Sequence, residues 1–213
     1  MAVPRPTKLR STPLRDLAVL VDAGDPASEV AVTGVTLDSR AVLPGDLYAA
    51  LPGARAHGAD FAGQAAAAGA VAVLTDGAGI ERMSAAGVSL PAVVVERPRT
   101  VLGAVCARVV GTDHLALRLV GITGTNGKTT TAYLVHSALT AMGRHPGLIG
   151  TVETRIGDER LGSVRTTPEA PELHAVLAVM VERGLDSCVM EVSPEKALAD
   201  PTVLRNGHKR SGR

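Results

Sequence analysis

Aromatic residues are almost absent from this 213-residue sequence, which contains one Phe, two Tyr and no Trp. The formal net charge is only +1, and basic residues are concentrated at the ends: residues 1–15 and 204–213 each contain four Lys or Arg and no acidic residue. The body between them has 14 basic and 21 acidic residues. A nucleic-acid binder needs a basic face and aromatic platforms for base stacking. The composition therefore argues against a nucleic-acid partner.

Long hydrophobic runs and cysteine pairs are also lacking. The longest uncharged runs, residues 61–75 and 129–143, are fifteen residues each, short of the roughly 18 to 20 apolar residues of a membrane span. The N-terminus shows no apolar core before a cleavage site, so no secretory signal is expected. Cys106 and Cys188 lie far apart among apolar neighbours, which is typical of buried free thiols in a reducing compartment. We expect a cytoplasmic protein without a membrane partner, and the sequence leaves its oligomeric state open.

The composition that remains is that of a folded, globular protein. Hydrophobic residues make up 46% of the chain and charged residues 20%, enough burial to offset the chain entropy lost on folding. The expected domains are residues 1–97 and 98–193, followed by a divergent tail at 194–213. The first domain should contain a helix at residues 14–21, then β-type runs that alternate with alanine-rich helices. Those runs are residues 30–37, 46–51, 71–74 and 92–95.

The second domain shows the order strand, loop, helix. Residues 98–111 carry an apolar stripe of helical period, predicted to connect the two domains. An apolar run at 117–122 predicts a buried strand, and a glycine-rich turn and an amphipathic helix follow it. This order predicts a parallel sheet. Further on we expect strands at 149–156 and 161–166 flanking a hairpin turn, a helix opened by Thr167-Pro168-Glu169, and a buried strand at 187–192 with an unpaired, aggregation-prone edge.

The glycine-rich turn carries most of the chemistry. It reads Gly124, Thr125, Asn126, Gly127, Lys128, Thr129, Thr130. Between a strand and a helix, backbone N–H groups and the helix N-terminus converge on phosphate oxygens. The two glycines permit close backbone approach and unusual dihedral angles, Lys128 supplies a positive charge to the β and γ phosphates, and the Thr129 hydroxyl can ligate Mg²⁺. The expected ligand is ATP with magnesium.

The turn departs from the general G-x-x-x-x-G-K-[ST] pattern at one place. That pattern requires glycine at position 122, where this chain has Ile122. The alternative is a glycine-rich turn before a helix with an ordinary surface lysine. A predicted strand, then Gly127-Lys128-Thr129, then a predicted helix follow one another in the expected order. This order makes phosphate binding the stronger interpretation.

Four segments together resemble the Mur ligases. T-G-T-N-G-K-T-T at residues 123–130 is similar to the ATP loop of that family, which departs from the general pattern in this same way. T-G-V-T-L-D-S-R with P-G-D-L-Y-A-A-L (33–40 and 44–51), T-T-P-E-A (166–170) and M-E-V-S (190–193) resemble the MurE type, the diamino acid ligases of peptidoglycan synthesis. The resemblance implies an N-terminal α/β domain that binds the UDP end of the substrate, then the first part of a Rossmann-like, P-loop central domain. T-T-P-E-A is the main feature that separates this type from the sibling MurF type.

The resemblance implies substrate contacts in the first domain at Leu37, Ser39 and the loop Ala54, Arg55, Ala56. A serine at a strand end can hydrogen-bond uracil, and an arginine can meet a pyrophosphate. From the residues alone, Leu37 as core, Ser39 as part of a turn and Arg55 as a solvated side chain are equally open.

The resemblance also implies roles near the second domain's strand ends. Thr166, Thr167 and Ser193 correspond to residues that contact the sugar-peptide part of the substrate, although Thr167 before Pro168 also fits a helix N-cap. Glu191 corresponds to a magnesium ligand, together with Thr129; the alternative is a solvated glutamate at a strand end. Lys128 and Glu191 are the expected catalytic residues.

The implied activity is ATP-dependent addition of meso-diaminopimelate or L-lysine to UDP-MurNAc-L-Ala-D-Glu through an acyl phosphate. After Ser193 the sequence departs from the family pattern, and we expect an incomplete form that lacks the features which capture the amine. The alternatives are a fragment that binds a UDP-sugar or nucleotide without turnover, a MurF-type ligase, or a P-loop ATPase or kinase unrelated to cell walls.

Overall fold

The computed structural model describes residues 4–162 and 168–193. Their contacts divide the chain into two compact units. The first unit is Leu9–Gly111, and the second comprises Met1–Lys8 with Thr112–Arg213. The fold is mixed α/β with parallel strands in both units, as the sequence predicts.

The first unit contains a four-stranded parallel sheet, of order β3-β4-β5-β6, and a separate two-stranded antiparallel pair, β1-β2. Its elements are β1 (Thr12–Pro13), α1 (Leu14–Leu20), β2 (Ala31–Val32), β3 (Gly34–Thr36), β4 (Asp46–Ala49), a 3-10 helix (Gly58–Phe61), α2 (Ala62–Ala67), β5 (Ala72–Thr75), α3 (Gly77–Ala85), β6 (Ala92–Val94) and α4 (Pro98–Val110).

The core of the first unit is packed largely with small side chains around a buried sheet. Every residue of β4 and β5 is buried, as expected for parallel strands covered on both faces. Small residues, including Ala59, Ala62 and Ala65, pack around Tyr48 and Val73. Alanine-rich helices therefore pack close to this sheet.

Helix α4 confirms the predicted helical stripe, and its contacts assign it to the first unit. It packs against β3 and α1, and it ends at Gly111, whose φ of +74° is a left-handed conformation that suits glycine. The boundary between the two units consequently lies after Gly111, whereas the sequence places a domain boundary at residue 98.

The second unit contains a five-stranded mixed sheet of order β10-β9-β8-β11-β7. Strands β8, β11 and β7 run parallel, and β9 and β10 add an antiparallel hairpin. Its elements are β7 (Arg118–Ile122), α5 (Lys128–Ala141), β8 (Pro146–Ile149), β9 (Glu153–Ile156), β10 (Glu159–Gly162), α6 (Ala170–Glu182) and β11 (Ser187–Glu191).

Side-chain alternation along the inner strands places one helix on each face of this sheet. Leu148 and Val189 pack with Ala132 of α5, whereas Ile149 and Met190 pack in a cluster with residues of α6. Successive side chains of a strand point to opposite faces, so neighbours in sequence contact different helices. The sheet is therefore covered on both sides where its three parallel strands lie.

Three details differ from the expectations. The strand at 187–192 is not an edge, because β11 lies between β7 and β8. On the parallel side of the sheet the last strand is β7, which is consequently half-exposed rather than buried. The run 149–156 is two strands, since β8 ends at Ile149 and β9 begins at Glu153. Helix α6 begins at Ala170 with Glu169 at its N-cap position, a position that we expected Thr167 to take.

Both cysteines are buried free thiols, as predicted. Among the helices in the described ranges, 4–162 and 168–193, none has the length and apolar character needed to cross a membrane.

Candidate nucleotide-binding site

The three parallel strands of the second unit end at the same edge of the sheet. Glu191 pairs in register with Ile122, and Met190 with Ile149. The loop after Ile122, the turn after Ile149 and Glu191 itself therefore lie together. The crevice at the carboxyl ends of parallel strands is the usual position for a ligand in this architecture.

The glycine-rich turn has the backbone that its sequence predicts. Gly124 and Gly127 have φ values of +148° and +77°, which other residues rarely adopt. Gly127 is the N-cap of α5, so the helix begins at Lys128. The Lys128 Nζ donates a hydrogen bond to the Gly124 carbonyl oxygen at 2.7 Å. The ammonium group thus lies over the loop that we predict to hold phosphate.

Glu191 is fully buried and accepts hydrogen bonds from Thr129 and Thr151 at the end of β11. Its Oε2 accepts from Thr129 Oγ1 at 3.0 Å and from Thr151 Oγ1 at 2.9 Å, and its Oε1 accepts from the Thr151 backbone N–H at 3.0 Å. A buried carboxylate is costly unless it is hydrogen-bonded. The solvated alternative for Glu191 is therefore wrong.

These residues line an open cleft of about 390 Å³. Its lining consists of Thr125, Asn126, Gly127, Lys128, Thr129, Thr130, Thr151 and Glu191. Every predicted loop residue except Gly124 is among them. An ammonium group and a helix N-terminus on one side and a carboxylate on the other can hold an anion together with a cation.

The donor set fits a magnesium ion that shares its coordination with phosphate. Thr129 and Glu191 present oxygen atoms 3.0 Å apart, and Mg²⁺ prefers one or two protein oxygens with phosphates and waters. A group of three or more His, Cys, Asp or Glu suited to a metal does not occur among residues 4–162 and 168–193. A cage made by the protein alone is therefore not indicated in that part of the chain.

Thr151 was missed by the sequence reasoning. Reading residues 149–156 as one strand concealed the turn that carries it. The available signal was Gly150-Thr151 directly after an apolar run, because a hydroxyl at the end of a parallel strand lies beside the phosphate loop.

A second group of side chains joins α5 to β9 near the cleft. The Tyr133 hydroxyl donates to Glu153 Oε1 at 2.7 Å, and Arg155 Nε donates to the same oxygen at 2.6 Å. The Arg155 guanidinium also lies 4.9 Å from the Tyr133 ring centroid. The hydrogen bonds from Tyr133 and then Arg155 lower the pKa of Glu153, while burial and the bond to Glu153 raise the pKa of Tyr133.

In the first unit, Ser39 is buried and its hydroxyl donates to Gln64 Oε1 at 2.7 Å. Its neighbours Asp38 and Arg40 form a two-point ion pair with distances of 2.8 and 2.9 Å, and this hydrogen bonding lowers the pKa of Asp38. Leu37 is half-buried beside them. The D-S-R segment therefore forms a fixed turn after β3.

The loop Ala54, Arg55, Ala56 is exposed and closed at its base by a β-bridge between Pro52 and His57. It follows β4, the strand beside β3. The Tyr48 hydroxyl on β4 donates to the Gly58 carbonyl at 2.9 Å and also contacts Ser39. Tyr48 thus connects the two segments that we predicted to bind the UDP end.

Three predicted substrate residues remain: Ser193, Thr166 and Thr167. Ser193 follows Glu191 by two positions and is half-buried. Thr166 and Thr167 lie outside the described residues.

The fold and the cleft define an α/β protein with a P-loop-like nucleotide site. Two family models match the sequence: the Mur ligase family catalytic domain at residues 31–110 and the Mur ligase middle domain at residues 122–203. The chain belongs to the Mur ligase family.

The sequence is 57% identical over 190 residues to a UDP-N-acetylmuramoyl-L-alanyl-D-glutamate--2,6-diaminopimelate ligase of Streptomyces avermitilis, covering 89% of this chain and 37% of that protein. It is 48% identical over 202 residues to a UDP-N-acetylmuramyl-tripeptide synthetase of Leifsonia xyli, covering 92% of this chain and 39% of that protein. The chain therefore spans less than two fifths of the length of these relatives.

Solved structures show the same fold. A UDP-N-acetylmuramoyl-L-alanyl-D-glutamate--2,6-diaminopimelate ligase superimposes with a TM-score of 0.66 at 25% identity, covering 93% of this chain and 39% of that one. MurF from Acinetobacter baumannii superimposes with a TM-score of 0.56 at 19% identity, covering 87% of this chain and 36% of that one. The latter likeness concerns the fold alone.

Proposed function

We propose that this chain serves the ligase reaction for which its relatives are named, the ATP-dependent addition of a diamino acid to UDP-MurNAc-L-Ala-D-Glu. The observation that carries the proposal is the open cleft of the second unit, about 390 Å³ in volume, which Lys128, Thr129 and the buried Glu191 line together. The relatives' names favour diaminopimelate over L-lysine. The cytoplasm is the compartment we propose for it.

In the proposed chemistry, a side-chain carboxylate oxygen of D-glutamate attacks the γ-phosphorus of ATP. The bond from that phosphorus to the ADP oxygen breaks, and an acyl phosphate forms. The diamino acid's amine then attacks the acyl carbon, phosphate leaves and a proton is released. Phosphorylation is needed because a free carboxylate is a poor acyl donor.

The chain's own residues support the first of these two steps. Lys128 and the N-terminus of α5 would hold the β and γ phosphates and stabilise the charge that develops during transfer. Thr129 and Glu191 would hold Mg²⁺, which supplies charge neutralisation when bound. The backbone of Gly124, Thr125, Asn126 and Gly127 and the side chain of Thr130 would complete the nucleotide site.

The first unit would hold the UDP end of the substrate. We propose Leu37 and Ser39 for the uridine, and the exposed loop Ala54, Arg55, Ala56 for the pyrophosphate, where an arginine suits phosphate geometry. Thr166, Thr167 and Ser193 are proposed contacts of the sugar-peptide portion. No residue of this chain is assigned to the amine.

The test is calorimetric titration of the chain with ATP and Mg²⁺, comparing Lys128→Ala with the parent. We expect the variant to bind ATP at least about tenfold more weakly, since it loses a charge-assisted contact worth roughly 1.5 to 3 kcal/mol. Lys8→Ala, at an exposed lysine outside the cleft lining, is the control. Equal ATP affinity in Lys128→Ala and the parent contradicts the proposal.

A second candidate function is binding of nucleotide and UDP-substrate without turnover. The observation in its favour is that the candidate residues among those described concern binding of phosphate, magnesium and the UDP end. Phosphate release in the presence of ATP, the UDP-dipeptide and diaminopimelate or L-lysine separates the two. Turnover rules out the binding-only function, and binding of both ligands without phosphate release supports it.

A further inference from the structure

The turn between β8 and β9 begins at Gly150, where the backbone lies close to the Glu191 carboxylate. A Cβ added to Gly150 would lie 2.7 Å from Glu191 Oε1. The missing side chain lets the next residue bring its backbone N–H to Oε1 at 3.0 Å and its hydroxyl to Oε2 at 2.9 Å. Thr151 therefore contacts both oxygens of the carboxylate.

Two contacts from one residue define the orientation of the carboxylate. A glutamate side chain has several rotamers, and a single hydrogen bond leaves rotation about its terminal torsion. Donors to Oε1 and Oε2 from one rigid turn fix both oxygens in a plane. The third donor, Thr129 Oγ1, then has a fixed acceptor and directs its lone pairs away from Glu191.

The turn that carries Thr151 is held from outside the cleft. Its exposed residues include Val152, which is 63% exposed, so packing alone does little to order it. The Gly150 N–H donates to the Glu153 carbonyl at 3.0 Å and closes the turn. The Glu153 side chain is in turn bound by Tyr133 on α5 and by Arg155 on β9.

We propose that Thr151 is a positioning residue for the magnesium-binding carboxylate, held in place by the Tyr133–Glu153–Arg155 cluster that joins the phosphate-loop helix α5 to β9. This inference rests on the proposed nucleotide site and adds residues to it that the sequence motifs do not contain. Because α5 carries both the phosphate loop at its start and Tyr133 one turn later, the cluster ties the carboxylate to the same helix that holds the phosphates.

The test compares ATP affinity in excess Mg²⁺ with ATP affinity in EDTA, in the full chain. Thr151→Val keeps the shape and the backbone N–H and removes the hydroxyl. We expect it to weaken magnesium-dependent ATP binding by about ten- to a hundredfold, as for a lost partner of a metal ligand, and to change affinity in EDTA by less than about twofold. Thr151→Ser should restore binding.

Thr140→Val is the matched control, because Thr140 is exposed on α5 and its hydroxyl donates to the His136 carbonyl of its own helix. Tyr133→Phe keeps the ring beside Arg155 and removes the bond to Glu153, so a smaller loss of magnesium dependence is expected. Thermal melting of each variant identifies any that fail to fold. If Thr151→Val does not fold, the magnesium dependence of ATP binding in Tyr133→Phe and Thr151→Ser is compared with that of the parent.

Two results distinguish the possible failures. If the parent binds ATP with magnesium dependence and Thr151→Val does so equally, or loses affinity equally in Mg²⁺ and in EDTA, the positioning role is overturned and the nucleotide site stands. If the parent binds no ATP, both the proposed function and this inference are overturned.

Discussion

Replacing Glu191 by glutamine removes one charge from the cleft with little change in shape. The Thr151 N–H donates to Oε1 of the carboxylate, and the hydroxyls of Thr129 and Thr151 donate to Oε2. A glutamine can place its carbonyl oxygen at the first position and its NH₂ group at the second. Hydroxyls both donate and accept, so the two threonines can rotate to accept from the amide. Glu191→Gln should therefore keep these contacts.

The expected cost in stability is small. Three hydrogen bonds lose the assistance of a charge, about 1 kcal/mol each, and this loss is offset by removal of a charge from a fully buried position. We expect a net change within about 2 kcal/mol, which for a chain of this size corresponds to a fall in Tm of less than roughly 8 °C. The fold should remain intact.

The effect on the proposed cation site should be large. Without the carboxylate charge, we expect the gain in ATP affinity on adding Mg²⁺ to fall by about ten- to a hundredfold, a range reported for partners of metal sites. ATP affinity in EDTA should change much less. Calorimetric titration in both conditions, together with a thermal melt, measures the two quantities on one sample.

The matched control is Glu81→Gln, an exposed glutamate on α3, which should leave both quantities unchanged. Full magnesium dependence in Glu191→Gln refutes the assignment of Glu191 to the cation. A fall in Tm well beyond roughly 8 °C refutes the hydrogen-bond argument, because it means that the glutamine does not satisfy the threonines.

Two further predictions concern ionisation. The pKa of Glu153 lies below its ordinary value of 4.5. The stabilising contribution of this carboxylate is therefore complete above pH 4.5 and is lost as the pH falls through the folded-state pKa. The Tm difference between the parent and Glu153→Gln should close below pH 4.5, and a constant difference from pH 7 to pH 3 contradicts this. Burial raises the pKa of Cys188 to about 12, and Cys106 is also buried. Neither thiol should react with an aromatic disulfide reagent at pH 8 until denaturant is added, and rapid labelling of the native protein would contradict their burial.

Magnesium binding and stability are expected to respond differently to these changes. Glu191→Gln and Thr151→Val act on the carboxylate within the cleft, whereas Glu153→Gln acts on the turn from outside it. If Glu153 holds the turn as we propose, Glu153→Gln should lower both the stability of the protein and the magnesium dependence of ATP binding. Comparing Glu153→Gln with Glu191→Gln therefore separates the effect of the carboxylate charge from the effect of a less rigid turn.

Local features of the sequence were sufficient to predict the glycine-rich turn and its position between a strand and a helix. Gly127, Lys128 and Thr129 are adjacent in the chain, and the strand before them and the helix after them follow from apolar periodicity. The positive φ of Gly127 and the start of α5 at Lys128 confirm those local predictions. Parallel strands and the buried cysteines were predictable for the same reason, since each depends on short runs of apolar residues.

The surroundings of Glu191 depend on the order of strands in the sheet. Its hydrogen-bond partners Thr151 and Thr129 are 40 and 62 residues away in sequence, and no local pattern states which strand will lie beside which. The chain returns through α6 and inserts β11 between β7 and β8, which also explains why the predicted edge was wrong. The sequence by itself determined the glycine-rich turn and the start of the helix after it, because these features are local. Only the tertiary structure decided that Thr151 would contact Glu191, because hydrogen bonds between separate strand ends require the assembled sheet.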